Sequence, residues 1–240
     1  MAHISISNLS AQYRVYGAKS RSLKLRMISQ ATGGKLLANH DDSVVVKAID
    51  NISLEIADGE RIGLVGHNGS GKTTLLRVLA GIYKPSAGQA RITGRLSALL
   101  NPASGMDQES TGIENIFLRG YLMGLTKAEI DAHVDEICAF SELGEYVHLP
   151  VRTYSAGMFA RLAFSISTIL RSDIMLIDEG IGAGDAAFFS RAQQKIETML
   201  ESTSIVILAS HAPSLINRFC NRLIRMDSGR IIEDGPVVPE

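Results

Sequence analysis

The chain has 240 residues, a net charge of −1 and 45% hydrophobic residues, enough for a sizeable core in one large or two small domains. So balanced a charge excludes a global field drawing the protein onto nucleic acid or anionic lipid, and two distant cysteines, Cys138 and Cys220, argue against a disulfide framework and exclude a C-x-x-C metal site. No apolar run reaches the roughly 20 residues of a bilayer span, and Met1–Ile6 lacks the basic region and apolar core of a signal peptide, so any membrane role is expected to run through a partner.

In chain order, His3–Ser7 alternates and predicts an opening strand. Residues 17–43 read differently. Residues 17–22 and 32–35 are loop-like and 39–42 are polar. Between them, Leu23, Leu25 and Met27 alternate while Leu23, Met27 and Ile28 share a helical face. A short amphipathic helix is the preferred reading, its basic neighbours Lys19, Arg21, Lys24 and Arg26 suited to lipid headgroups or to a membrane partner; an insertion with no role is the other. Val44–Ile49 and Ile52–Ile56 predict a pair of strands.

Arg61–Val65 predicts a strand and Thr74–Leu79 the first turns of a helix that runs to Ala80 and stops at Gly81. Between them lies Gly66-His67-Asn68-Gly69-Ser70-Gly71-Lys72-Thr73, followed by Thr74, which matches G-x-x-x-x-G-K-[ST]. Glycines let such a loop turn its N–H groups onto phosphate oxygens, and the helix N-terminus adds its positive dipole end. In this pattern Lys72 reaches the β- and γ-phosphates and the Thr73 hydroxyl ligates Mg2+.

Residues from about 110 to 170 are mostly helical by pattern, with a capping box at Thr126–Glu129 opening a helix to about Phe140. Tyr154-Ser155-Ala156-Gly157-Met158 precedes another helix; Ser155 fits an N-cap, and a helix start without bulk can also receive an anion. Ile174–Ile177 predicts a buried strand ending in Asp178-Glu179, the sheet edge where α/β proteins bind ligands. There Asp178 suits Mg2+ through its water shell, and Glu179 suits polarising a water. Gly182–Asp185 reads as a glycine turn. A helix over roughly 188–201 follows, then an apolar strand at 205–209 ending in Ser210-His211, whose imidazole is placed to bond a γ-phosphate oxygen. Alternating strands and helices predict a parallel α/β core, with the helical block inserted into it.

In this order and spacing the motifs resemble the ATP-binding subunit of an ABC transporter, over essentially the whole chain. The fold so implied is α/β: a P-loop NTPase (RecA-like) core at 61–98 and 171–240, an antiparallel β subdomain with N-terminal strands at 1–60, and an inserted helical subdomain at 99–170. The family's signature reads Leu-Ser-Gly-Gly-Gln; Tyr154–Met158 keeps its serine and second glycine. The resemblance implies a head-to-tail homodimer with two ATP molecules at its interface. Each would be held by the phosphate loop of one copy and by Ser155 and Gly157 of the other. Asp185 matches the loop aspartate that crosses the interface, and Tyr13 the aromatic that stacks on adenine, with Tyr16 as the alternative. The family's glutamine between core and helical subdomain is missing. Asn101 is the nearest candidate for that place, and Gln108 lies too close to Glu114-Asn115.

Residues 111–120, 154–158 and 178–188 further resemble the branch that exports O-antigen, capsular polysaccharide and teichoic acid. That branch implies a permease in the membrane, a lipid-linked cargo and a place on the cytoplasmic face. The end at Glu240 is expected to leave no room for the carbohydrate-binding domain of some members. Competing readings are a transporter for another substrate, a small-molecule P-loop kinase, a GTPase and an ABC protein acting on DNA or ribosomes. A kinase lid would want arginine, and residues 110–170 hold only Arg119, Arg152 and Arg161; no Asn-Lys-x-Asp motif supports a GTPase; a net charge of −1 speaks against nucleic acid.

Overall fold

The computed structural model describes residues 1–15, 36–38, 44–169, 172–178 and 186–237. In chain order these form β1 (His3–Val15), β2 (Leu36–Ala38), β3 (Val44–Ala57), β4 (Arg61–Val65), α1 (Lys72–Leu79), β5 (Ala87–Thr93), β6 (Leu96–Leu99), α2 (Gly112–Leu122) and α3 (Lys127–Ser141). Two short 3-10 segments, Gly144–His148 and Val151–Thr153, lead to α4 (Ala156–Ser167), β7 (Ile174–Ile177), α5 (Ala186–Ser202), β8 (Ile205–Ala209), α6 (Pro213–Phe219), β9 (Arg222–Asp227) and β10 (Arg230–Pro236). The helix expected around 23–30 lies outside the described residues.

Two sheets belong to one compact unit. The antiparallel sheet has the order β2-β3-β1-β5, and the second runs β10-β9-β4-β8-β7-β6. In the second, β9, β4, β8, β7 and β6 are parallel and β10 pairs antiparallel with β9. All residues of β7 and β8 are buried, as strands covered on both faces must be.

The strand pair expected at 44–49 and 52–56 is one strand, β3, paired along its length with β1. Asp50-Asn51 reads as a turn in sequence; in the fold Asn51 takes a left-handed conformation, φ 54°, within a register irregularity. Asn8 does the same in β1, φ 49°. Each adds a residue, so the buried series runs Ile4, Ile6, Leu9 and Ile49, Ile52, Leu54 and keeps one face on the core.

The other unit holds α2 to α5. Capping boxes at Thr111 and Thr126 start α2 and α3. Ile116, Ile130, Ile137, Leu162 and Ile166 form its core. α5, which the sequence boundaries put with the nucleotide-binding core, clusters here. Its Phe188 is fully buried between Phe140 and Phe164, ring centroids 5.5 and 5.9 Å away.

Candidate functional site

β4 delivers the chain into the Gly66–Gly71 loop, and α1 leaves it at Lys72 with Gly71 as N-cap. The loop is wedged between neighbours that admit no side chain at two points. Gly66 has φ +149° and a Cβ there would stand 2.3 Å from the Met226 carbonyl; Gly71 has φ +112° and its Cβ would stand 2.6 Å from that of Ala48. Ser70 N–H donates to the His67 carbonyl at 3.0 Å, and the Ser70 carbonyl accepts from Gly229 N–H at 2.8 Å. The Ser70 hydroxyl is buried and has no partner among the described residues.

Lys72 is 8% exposed. Its Nζ donates to the Gly66 carbonyl at 2.6 Å and to that of His67 at 3.4 Å, and stands 3.3 Å from His211 Nε2. None of these partners carries a negative charge. A buried ammonium with such partners suits an incoming anion, because burying a charge is costly until it is paired.

A cavity of about 400 Å³ opens beside the loop, lined by Tyr13, Val46, Lys47, Ala48, residues 68–74, Asp178 and His211. It gathers Asn68, Gly69, Ser70, Gly71, Lys72, Thr73 and Thr74 with Asp178, from the end of β7, and His211, from the end of β8. Thr73 and Asp178 both line the cavity, and a hydroxyl and a carboxylate are hard oxygen donors, a set that fits Mg2+. Tyr13 meets Tyr83 edge-on, centroids 5.3 Å apart, and burial raises its phenol above the ordinary value.

Gly66 and His67 stand behind the cavity. They border a separate one of about 510 Å³ that also touches His211. The His67 ring bonds the Asn68 carbonyl through Nδ1 and Asp227 through Nε2, both at 2.7 Å. Lys47 and Asp227 carry no motif that marks them in sequence. Lys47 lines the cavity together with its neighbours Val46 and Ala48, with its ammonium on Asp50, whose carboxyl it holds below the usual range together with Arg230.

Tyr16, Glu179 and Asp185 lie outside the described residues. Ser155 and Gly157 lie in the helical unit: Ser155 caps α4, its Oγ accepting from Met158 N–H at 3.2 Å, and a Cβ on Gly157 would meet only Ser155 Oγ at 3.8 Å. Asn101 is in that unit too, its Oδ1 accepting from Ala103 N–H at 3.2 Å. The carbonyl of Gln108 accepts from Arg152 N–H at 2.9 Å.

The family model for ABC transporters matches residues 49–182. This chain belongs to the ABC transporter family. It is an ATPase of that family. It is 41% identical to the O-antigen export system ATP-binding protein RfbE of Yersinia enterocolitica, over 98% of both chains. It is 35% identical to the teichoic acids export ATP-binding protein TagH of Bacillus cereus, over 98% of this chain and 41% of that one. In fold it matches a dimeric ATP-binding cassette in a post-hydrolysis state bound to ADP and Pi, with a TM-score of 0.69 at 18% identity over 99% of this chain and 100% of the other. Among the described residues no helix of this ABC ATPase is long and apolar enough to cross a membrane.

Proposed function

We propose that this ATPase is the motor subunit of an exporter that moves a lipid-linked cell-surface polysaccharide, such as O-antigen, capsule or teichoic acid, across the cytoplasmic membrane. It works as a homodimer on the cytoplasmic face, held there by an integral-membrane permease, with no nucleic-acid partner. The observation that carries the motor part is the one cavity that gathers Lys72, Thr73, Asp178 and His211. The cargo is supported by relatives whose names are those of O-antigen and teichoic acid exporters.

The residues divide the work by chemistry. Lys72 and the loop amides from Asn68 to Thr74 would bind the phosphates, and Tyr13 the adenine. Thr73 and Asp178 would hold Mg2+, which when bound neutralises charge on the phosphates. Glu179 would take a proton from, or orient, the attacking water, and His211 would bond a γ-phosphate oxygen. Ser155, Gly157 and Asp185 would close the site from the second copy, and Asn101 would act where the family uses glutamine.

Replacing the chromosomal copy by Glu179→Gln tests the whole reading. Surface polysaccharide is expected to disappear while lipid-linked glycan accumulates inside the cell, both read on gels. Unchanged surface glycan would show that the cargo is something else.

A further inference from the structure

Within the helical unit, α2 carries two buried polar side chains one turn apart, and both reach back onto the segment that leads into the helix. Asn115 is fully buried. Its Oδ1 accepts from Asp107 N–H at 2.7 Å, and its Nδ2 donates to the carbonyls of Asp107 at 2.8 Å, Ser110 at 3.3 Å and Thr111 at 2.8 Å. Arg119, 6% exposed, donates through Nη1 to the Pro102 carbonyl and to that of Ala163 at 3.1 Å, and through Nη2 to Ser167 Oγ at 3.3 Å.

All of Arg119's acceptors among the described residues are neutral. Burial without a counter-charge pulls the guanidinium down to about 10. Such a placement does not favour stability, since desolvating a cation costs more than hydrogen bonds to neutral oxygens offset. An unbranched apolar side chain would fill the same space without that cost. Ser167 Oγ already donates to the Ala163 carbonyl at 2.8 Å, so Pro102 is the acceptor that depends most on the guanidinium. What Arg119 adds is a fixed position for Pro102 against the last turn of α4.

We infer that Arg119 is a positioning residue, tying the segment from Asn101 to Met106 to α4 so that Asn101 and the helix capped by Ser155 move as one piece. Asn115 pins the other end of the same segment at Asp107–Thr111. The inference rests on the proposed part of Asn101 in hydrolysis. It explains how a short amide in an exposed turn is held still: its own contacts are the Ala103 N–H at 3.2 Å and a backbone bond from Ser104 at 3.0 Å, both inside the turn. The next residue is the one that Arg119 grips.

The test compares the purified full chain with its Arg119→Met, Arg119→Lys and Asn101→Ala forms. ATP hydrolysis, binding of a fluorescent ATP analogue, the thermal midpoint and hydrogen exchange at residues 103–106 are read for each. In Arg119→Met, kcat should fall about ten- to a hundredfold with nucleotide affinity within about twofold of wild type, the cost of a loop no longer held in place. Its thermal midpoint should stay or rise, because the unpaired charge is gone, and residues 103–106 should exchange faster. Arg119→Lys, which can still reach the Pro102 carbonyl, should recover most of kcat and of the protection.

Wild-type kcat and unchanged exchange in Arg119→Met would overturn the inference. So would a loss of kcat that tracks a loss of thermal stability and nucleotide binding, which marks a packing residue. Wild-type kcat in Asn101→Ala would instead sink the role of Asn101 while exchange still decides the clamp. The cargo does not enter these measurements.

Discussion

Among the described residues Lys72 and Arg119 are the two buried cations, 8% and 6% exposed, and each compact unit holds one. Both bond mainly to neutral oxygens. They differ in what lies beside them. Lys72 borders a cavity of about 400 Å³ together with Thr73, Asp178 and His211, and the Ser70 hydroxyl nearby has no partner among the described residues. Arg119 instead points its guanidinium onto Pro102, Ala163 and Ser167. Burial of a charge therefore does not by itself mark a ligand site. A charge that faces open space awaits a ligand, and one that faces its own backbone holds a loop.

The contrast breaks most directly at Lys72. Lys72→Met should lower ATP hydrolysis by about a hundred- to a thousandfold, the usual cost of a lost charge-stabilising donor. It should also abolish the upward shift in thermal midpoint that ATP gives the wild type, since ligand stabilisation requires binding to the folded state. A Lys72→Met protein that is still stabilised by ATP would mean the cation is structural, like Arg119.

The helical unit predicts effects on stability instead. Phe188→Ala should cost about 3–5 kcal/mol, as for a fully enclosed aromatic ring, and loosen α5 from α3 and α4. Denaturant unfolding reads it, and a cost below about 1 kcal/mol would mean α5 is not held by this cluster. Asn115→Leu should cost less, about 2–3 kcal/mol, by taking their partner from the Asp107 N–H and the Asp107 carbonyl, while the Thr111 carbonyl keeps its bond from the backbone N–H of residue 115. Set beside a neutral or stabilising Arg119→Met, that loss would separate a hydrogen-bonded amide that stabilises from a buried charge that positions.

The same distinction governs what was legible in the sequence. The phosphate loop is contiguous, and its strand, glycines and helix can be read in one pass. The buried strands Ile174–Ile177 and Ile205–Ala209 stand out because nothing polar interrupts them. Thr126 and Glu129 announce a helix start through their own spacing. What the sequence hid is made by neighbours that only topology supplies. Asn8 lies just past the predicted opening strand and Asn51 between two predicted strands; once β1 and β3 are paired, each proves to be an irregularity that preserves a buried face. Lys47 and Ala48 become a cavity wall because β3 passes the loop, and Tyr13 gains Tyr83 from beyond α1. Phe188 is apolar in any register, but only its packing on Phe140 and Phe164 places α5 with the helices.

The smallest predicted effect concerns the back of the phosphate loop. The turn between β9 and β10 braces it in two ways: Gly229 N–H bonds the Ser70 carbonyl at 2.8 Å, and Asp227 bonds His67 Nε2 at 2.7 Å. A carbonyl and a carboxylate can only accept, so the His67 ring makes both of its bonds together only when each nitrogen carries a proton. The His67 and Asp227 side chains are 57% and 49% exposed, so the pair contributes less than about 1 kcal/mol. His67→Phe and Asp227→Asn should each weaken binding of a fluorescent ATP analogue by only about two- to fivefold, and the double variant should be no worse than His67→Phe, because that change already removes the bond between the two residues along with the one to the Asn68 carbonyl. Additive losses would mean that the two residues act on the loop separately, and that the backbone bond from Gly229 is its only brace from this turn.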